Sequence, residues 1–332
     1  MRSNNLFRLK QRHILLILMI VAFKLTILPP VAAATDGHEK SGDELTKDAL
    51  PAFPLISAVT DKHQRSVDEV ARELTNPNSS LATLTVKNQY RWYTGDLPGA
   101  DRQDNFMILF QPIFPLSLPQ DANGNKQTLF FRPGIPLLFD QPVLREGKSD
   151  LDFEGVSALG DIGFDLAYGV SKKDGLLWAV GMVGTLPTAT DSRVAGEQLR
   201  LGPEFLLGKF EKWGVYGIFP SHQWNVAGPS KESFNTTQIQ PILKFILEGG
   251  WTAGSAPIGY YDWKNSDWTF PINLIVSKTV LFGKIPWKFD MEINYYFTQP
   301  DAFGPKWMIG FNISPVVNNP FQKGFNRLIG VK

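Results

Sequence analysis

The chain has 332 residues, 43% of them apolar, with no cysteine and a formal net charge of +1. No disulfide framework, thiol nucleophile or thiolate metal site is possible, and no cationic excess is present to hold nucleic acid. That size suits one large domain or two small ones, so fold class has to come from pattern.

The first 34 residues carry the marks of an export signal. Arg2, Arg8, Lys10 and Arg12 form a basic start, Ile14 to Phe23 an apolar run, and Ala32, Ala33 and Ala34 a small-residue cleavage site. Lys24 stops the run well short of the ~20 residues a spanning helix needs. The segment holds five Lys or Arg and no acid, so its removal takes the net charge from +1 to −4. No later stretch approaches spanning-helix length, and any membrane crossing must therefore use strands.

Residues 35–80 are polar. Within them Ser66 and Glu69 match a capping box, which predicts a short helix to about Leu74 with Val67, Val70 and Leu74 on one side and Pro77 beyond its end. It reads as a lead-in segment, with a plug entering a barrel as the alternative.

From Leu81 onward the chain shows about twelve strand-like runs. They span 81–94, 104–117, 127–139, 158–170, 176–187, 198–209, 213–225, 234–247, 250–262, 267–281, 286–298 and 306–315. Their spacing suits an antiparallel meander rather than strand–helix–strand units. The clearest run is Pro286 to Thr298. There Trp287, Phe289, Met291, Ile293, Tyr295 and Phe297 alternate with Lys288, Asp290, Glu292, Asn294, Tyr296 and Thr298. Aromatic rings near both ends with aliphatic side chains between them suit a strand that faces lipid on one side and water on the other.

Two regularities support a membrane barrel. Connections alternate between short (171–175, 209–212, 248–249, 283–285) and longer (140–157, 188–197, 226–233). All nine tryptophans fall near run ends: Trp178, Trp213, Trp251 and Trp287 at the short-turn end, Trp92, Trp224, Trp263, Trp268 and Trp307 at the other. Pro112, Pro133, Pro136, Pro241 and Pro271 lie inside runs and each removes a ladder donor, which marks bulges or kinks.

Several fragments also carry a resemblance. Leu74-Thr75-Asn76-Pro77, Leu159-Gly160-Asp161-Ile162, Leu186-Pro187-Thr188-Ala189-Thr190-Asp191, His222-Gln223-Trp224, Tyr261-Asp262-Trp263 and Trp268 to Asn273 resemble, in the same order, a group of Gram-negative outer-membrane barrels. That group is named for the meta-cleavage pathway of phenol degradation, or simply as transporters, and is distantly similar to long-chain fatty-acid channels. The resemblance implies passive uptake of small hydrophobic or aromatic compounds. One departure is that residues 317–332, including Phe321, Phe325 and Arg327, follow the last run, whereas such barrels end on an aromatic strand terminus.

The expected organisation is a signal at 1–34, a polar segment with a short helix at 35–80, an all-β transmembrane antiparallel barrel at 81–316 and a tail at 317–332. If apolar residues face lipid, the opposite face supplies candidate pore-lining groups: Asp161, Asp165, Arg200, Glu204, Lys244, Lys288, Asp290 and Glu292. They make either a charged constriction that filters solute or an ion-pair network that fills a narrow barrel. In Leu186 to Asp191 the residues Thr188, Thr190 and Asp191 suit turn chemistry, with cation binding as the alternative. His222 neighbours Ser221, but adjacent strand residues point to opposite faces, so no nucleophile–base pair is expected there.

The resulting expectation is a monomeric outer-membrane channel for small hydrophobic or aromatic solutes, in contact with the bilayer and lipopolysaccharide. It has no catalytic role, no metal, no cofactor and no nucleic-acid partner. A closed structural or surface-binding barrel and a lipid hydrolase are the alternatives.

Overall fold

A computed structural model describes residues 65–145, 152–230 and 232–330. The expected export signal lies outside the described residues. The strands are β1 (Ala82–Thr94), β2 (Asp104–Ile113), β3 (Leu116–Leu118), β4 (Lys126–Leu144), β5 (Phe153–Leu159), β6 (Ile162–Ser171), β7 (Leu176–Leu186) and β8 (Leu199–Phe210). They continue as β9 (Gly214–Ala227), β10 (Asn235–Ile246), β11 (Trp251–Ser255), β12 (Gly259–Asp262), β13 (Asp267–Phe282), β14 (Ile285–Thr298) and β15 (Gly304–Val317). Helix α1 (Val67–Thr75) precedes them and α2 (Gln322–Leu328) follows.

Neighbouring strands pair antiparallel and β15 returns to β1, so the sheet has no open end. β2 with β3, β5 with β6, and β11 with β12 each form one interrupted stave, giving a closed barrel of twelve. The twelve runs expected from the sequence correspond to these staves in order.

Register fixes which side chains face where. On β14, Asp290 lies opposite Ser277 and Asn312, while Met291 lies opposite Val276 and Phe311 and Ile293 opposite Leu274 and Ile309. A slip of one residue would turn every side chain to the wrong face. The sorting is the reverse of a water-soluble protein: Ile272 is 64% and Leu274 54% exposed, along with Phe131, Leu166, Phe205 and Leu243 on other staves. Thr83, Thr128, Thr279, Asn294 and Asn312 are buried. The barrel core is polar, and its outer surface is apolar.

Every tryptophan sits close to a strand end. The connections at one end, 172–175, 211–213, 247–250 and 283–284, are shorter than 95–103 and 187–198 at the other. The alternation is imperfect, because 119–125 is longer than its neighbours at the short-turn end and 263–266 is brief at the opposite end.

Prolines account for the interruptions. The β2–β4 ladder runs from Phe106 to Phe110 and resumes at Leu116, skipping a stretch that holds Pro112, Pro115 and Pro133. The run expected at 104–117 is thus broken, and the one expected at 127–139 extends to Leu144. Next to β10, pairing stops at Ser255 and restarts at Gly259, across Pro241 and Pro257, and Pro271 sits at a register shift. Lacking N–H groups, these residues cannot serve a ladder. Two interior amides serve the bulge instead: Asn273 Oδ1 accepts from Ala256 N (2.8 Å), and Gln240 Nε2 donates to Ala256 O (3.2 Å).

Candidate functional site

Helix α1 packs at the short-turn end of the barrel. The helix starts as its sequence dictates: Ser66 N donates to Glu69 Oε2 (2.9 Å) and Glu69 N to Ser66 Oγ (3.2 Å). It buries Val70, Ala71 and Thr75 and packs against β9, β10, β11, β13 and β14. Polar tethers fix it to the turns. Arg72 donates to the carbonyls of Lys212 (2.8 Å) and Glu211 (2.9 Å) and lies 4.5 Å above the Phe210 ring. Gly250 N donates to Asp68 Oδ1 (2.5 Å). Gly250 is required there, since its φ is +78° and a Cβ would fall 2.4 Å from Val67. Past the helix, Asn78 Nδ2 donates to the carbonyls of Val170 (3.1 Å) and Trp178 (3.3 Å). Leu74 to Ser79 line the barrel cavity, so the described part of this segment reaches the interior.

Beside this segment lies a cavity of about 320 Å³. Asp165, Glu204, Lys244, Lys288, Asp290 and Glu292 line it together with Lys87 and Arg132, so that four cationic side chains face four acidic ones. Two ion pairs form within it, Arg132 Nε to Asp165 Oδ2 (2.6 Å) and Lys288 Nζ to Asp290 Oδ1 (2.9 Å). Ser277 Oγ donates to Asp290, and Asn273 and Asn294 each donate to Glu292 Oε1 at 3.0 Å. Glu204, only 5% exposed, keeps Oε1 without a hydrogen-bond partner among the described residues. Lys87 and Lys244 have no ion-pair partner within 4 Å among the described residues. Apolar side chains share the lining: Phe130, Leu206, Phe219, Ile242, Ile258 and Ile275.

The structure places Asp161 and Arg200 elsewhere. Asp161 falls in the break between β5 and β6, off any strand, and accepts from Thr188 N and Ala189 N (3.0 Å each) and Gly196 N (2.8 Å). Arg200 is stacked 4.0 Å over the Phe234 ring near the long-loop end. Both lie at the long-loop end rather than against the cavity: Asp161 is one residue ahead of β6 and Arg200 is the second residue of β8, each four residues along the chain from the cavity groups Asp165 and Glu204. Two charged lining residues were absent from the expected set. Lys87 was readable from the alternation Thr83, Thr85, Lys87, Gln89, Arg91; Arg132 was obscured by Pro133 in a run with weak pattern.

Leu186 to Asp191 does turn chemistry at the rim. Thr188 Oγ1 accepts from Ile162 N (2.8 Å) and Thr190 Oγ1 from Leu159 N (3.1 Å), which sews this loop to the gap between β5 and β6. Asp191 binds Arg193 (2.6 Å), and Arg193 reaches Glu154 (2.6 Å). Hydrogen bonds from the Arg193 side chain and backbone hold the Asp191 carboxyl down at about 2, and Asp191 together with Glu154 pushes Arg193 further up. His222 faces outward, its ring 4.1 Å from Trp224 and Nδ1 2.7 Å from Thr237 Oγ1, while Ser221 is buried on the opposite face. At the long-loop end the rings of Tyr93 and Phe153 each lie within 5 Å of Phe303.

No protein-family model matches the chain, and no curated protein matches it. Among solved structures, an outer membrane channel from Pseudomonas putida F1 is similar with a TM-score of 0.47 and 12% identity, over 71% of this chain and 95% of that one. The beta domain of the Bordetella autotransporter BrkA is similar with a TM-score of 0.40 and 11% identity, over 70% of this chain and 98% of that one. Both are distant likenesses, and the functional reading rests on the geometry of this chain.

Proposed function

We propose that the chain is a monomeric β-barrel of a Gram-negative outer membrane that passively admits small molecules with an apolar or aromatic body. One observation carries this reading: a closed sheet exposes Ile272, Leu274 and Phe131 on its outside and keeps charged and amide groups within. Only hydrocarbon suits such an exterior, and only a closed barrel satisfies its backbone there. Tryptophans near both ends fit the two headgroup layers, the long-loop side meeting lipopolysaccharide. No catalysis is part of the proposal.

The lining narrows the solute. Phe130, Phe219 and Ile275 offer apolar contact, while Lys87 and Lys244 offer positive charge not consumed by ion pairs within 4 Å. A small aromatic acid matches both. The position of α1 at the short-turn end favours a second reading, a closed barrel without transport. Swelling of liposomes in benzoate, with arabinose as the uncharged comparison, separates the two. As a channel, the protein admits benzoate in preference to arabinose; Asp68→Ala with Arg72→Ala raises the rate about tenfold by releasing charge-assisted hydrogen bonds, and Lys244→Glu lowers it. No swelling in either solute, with the tethers intact or removed, establishes the closed barrel.

A further inference from the structure

The chain continues past β15 into α2, seven residues that sit at the short-turn rim beside β3. So brief a helix is not stable in isolation and needs a dock. Gln322 supplies it by imitating a strand: its Oε1 accepts from Ser117 N (2.8 Å) and its Nε2 donates to Ser117 O (3.0 Å), covering the free edge of β3. Asn319 Nδ2 donates to Pro115 O, and the Phe321 ring meets Phe114 edge-on at 5.2 Å. Phe114 N donates to the carbonyl of Phe131 (3.4 Å), whose side chain is exposed on the outer face, so Phe114 lies beside that face and Phe321 joins the apolar exterior.

Gln322 docks one flank of the helix, and beside it runs an apolar flank that reaches the barrel through Phe321. Phe321, Phe325, Leu328 and Ile329 follow the spacing i, i+4, i+7, i+8, a single stripe, with Phe321 56% and Leu328 82% exposed. Lys323 and Arg327 lie on the far side of that stripe, and residues 317–332 contain no Asp or Glu. We infer that α2 is an interfacial anchor, its stripe set among the acyl chains of the leaflet at the short-turn end and its two cations on anionic phospholipid headgroups. The inference rests on the membrane reading above. Continuity of the stripe with the outer face at Phe114, and the one-sided charge, identify a lipid surface as the occupant.

The absence of cysteine allows single-site labelling. An environment-sensitive fluorophore at Leu328→Cys is compared with one at Leu274→Cys in the barrel belt, in phosphatidylcholine vesicles with and without phosphatidylglycerol. The expected result is blue-shifted emission and quenching by lipid-borne nitroxide at both sites. At 328 alone, quenching rises with phosphatidylglycerol, falls with salt, and weakens about fivefold per cation removed at Lys323 and Arg327. A lipid-buried 274 with 328 in water overturns the anchor and leaves the barrel standing. Both sites in water overturn the membrane reading itself. A 328 site indifferent to anionic lipid overturns the headgroup contact.

Discussion

The seam from β13 through β14 and β15 to β1 and the stave made of β11 and β12 are built from similar residues but held in different ways. Across the first, backbone ladders run from Phe282 to Pro271 and from Trp287 to Tyr295. In the second, pairing stops for Ala256, Pro257 and Ile258, and the buried amide of Asn273 and the half-buried one of Gln240 take over. The contrast teaches that a continuous ladder needs from its side chains only the correct face, whereas a proline-broken stave needs particular side chains. The first region is therefore sensitive to polarity and the second to identity.

The largest effect is expected on the continuous seam. Ile293→Arg places a charge on the apolar outer face and should cost about 2–4 kcal/mol of folding free energy in vesicles, against about 0–1 for Trp307→Arg at the rim. Reversible denaturant unfolding measures both. Equal costs would mean that the outer face has no depth dependence and does not meet a bilayer.

Next is the broken stave. Asn273→Ala leaves Ala256 N, Glu292 and Asn294 short of partners inside the barrel, and should cost about 1–3 kcal/mol. Thr85→Ala removes a hydroxyl that bonds Ser314 (2.9 Å) and, more loosely, Thr83 (3.4 Å) on the regular seam, and should cost about 1 kcal/mol or less. If the two losses match in the same unfolding measurement, interior amides are not what supports the bulge.

The difference between these regions also sets what could be read in advance. Alternation in Pro286 to Thr298 was enough to place Asp290 and Glu292 on one face, because an unbroken strand keeps its period of two over its length. The twelve staves followed from repeating that pattern. Pro241 and Pro271 marked irregularity, yet the bulge at Ala256 did not show, since its support comes from Gln240 and Asn273 on other strands. The same limit applies to α1. Its capping box is local and legible, but its position depends on Lys212, Glu211 and Gly250, more than a hundred residues away. Asp161 illustrates a further limit, because spacing gave it the face of Asp165 but not its depth, and it lies just before β6, outside the cavity lining.

The smallest effect concerns the loop that bridges the gap between β5 and β6. Asp191 has a folded pKa of about 2, below its ordinary 3.8, so its contribution is complete above the unfolded value and disappears as pH falls through about 2. Carbon-13 titration of the Asp191 carboxyl should show a midpoint near 2, and Arg193→Ala should return it toward 3.8. A midpoint already at the ordinary value would remove the Arg193 contact from the account.

The central claim is that β14 separates hydrocarbon from water residue by residue, and spin labels placed singly along it test this most directly. In reconstituted vesicles, relaxation by oxygen, which concentrates in lipid, should peak at 289, 291, 293 and 295. Relaxation by a water-soluble nickel chelate should peak at 288, 290, 292 and 294. A period of two with opposite phase for the two agents is the predicted result. Uniform oxygen access along the strand, or chelate access at 291 and 293, would contradict it.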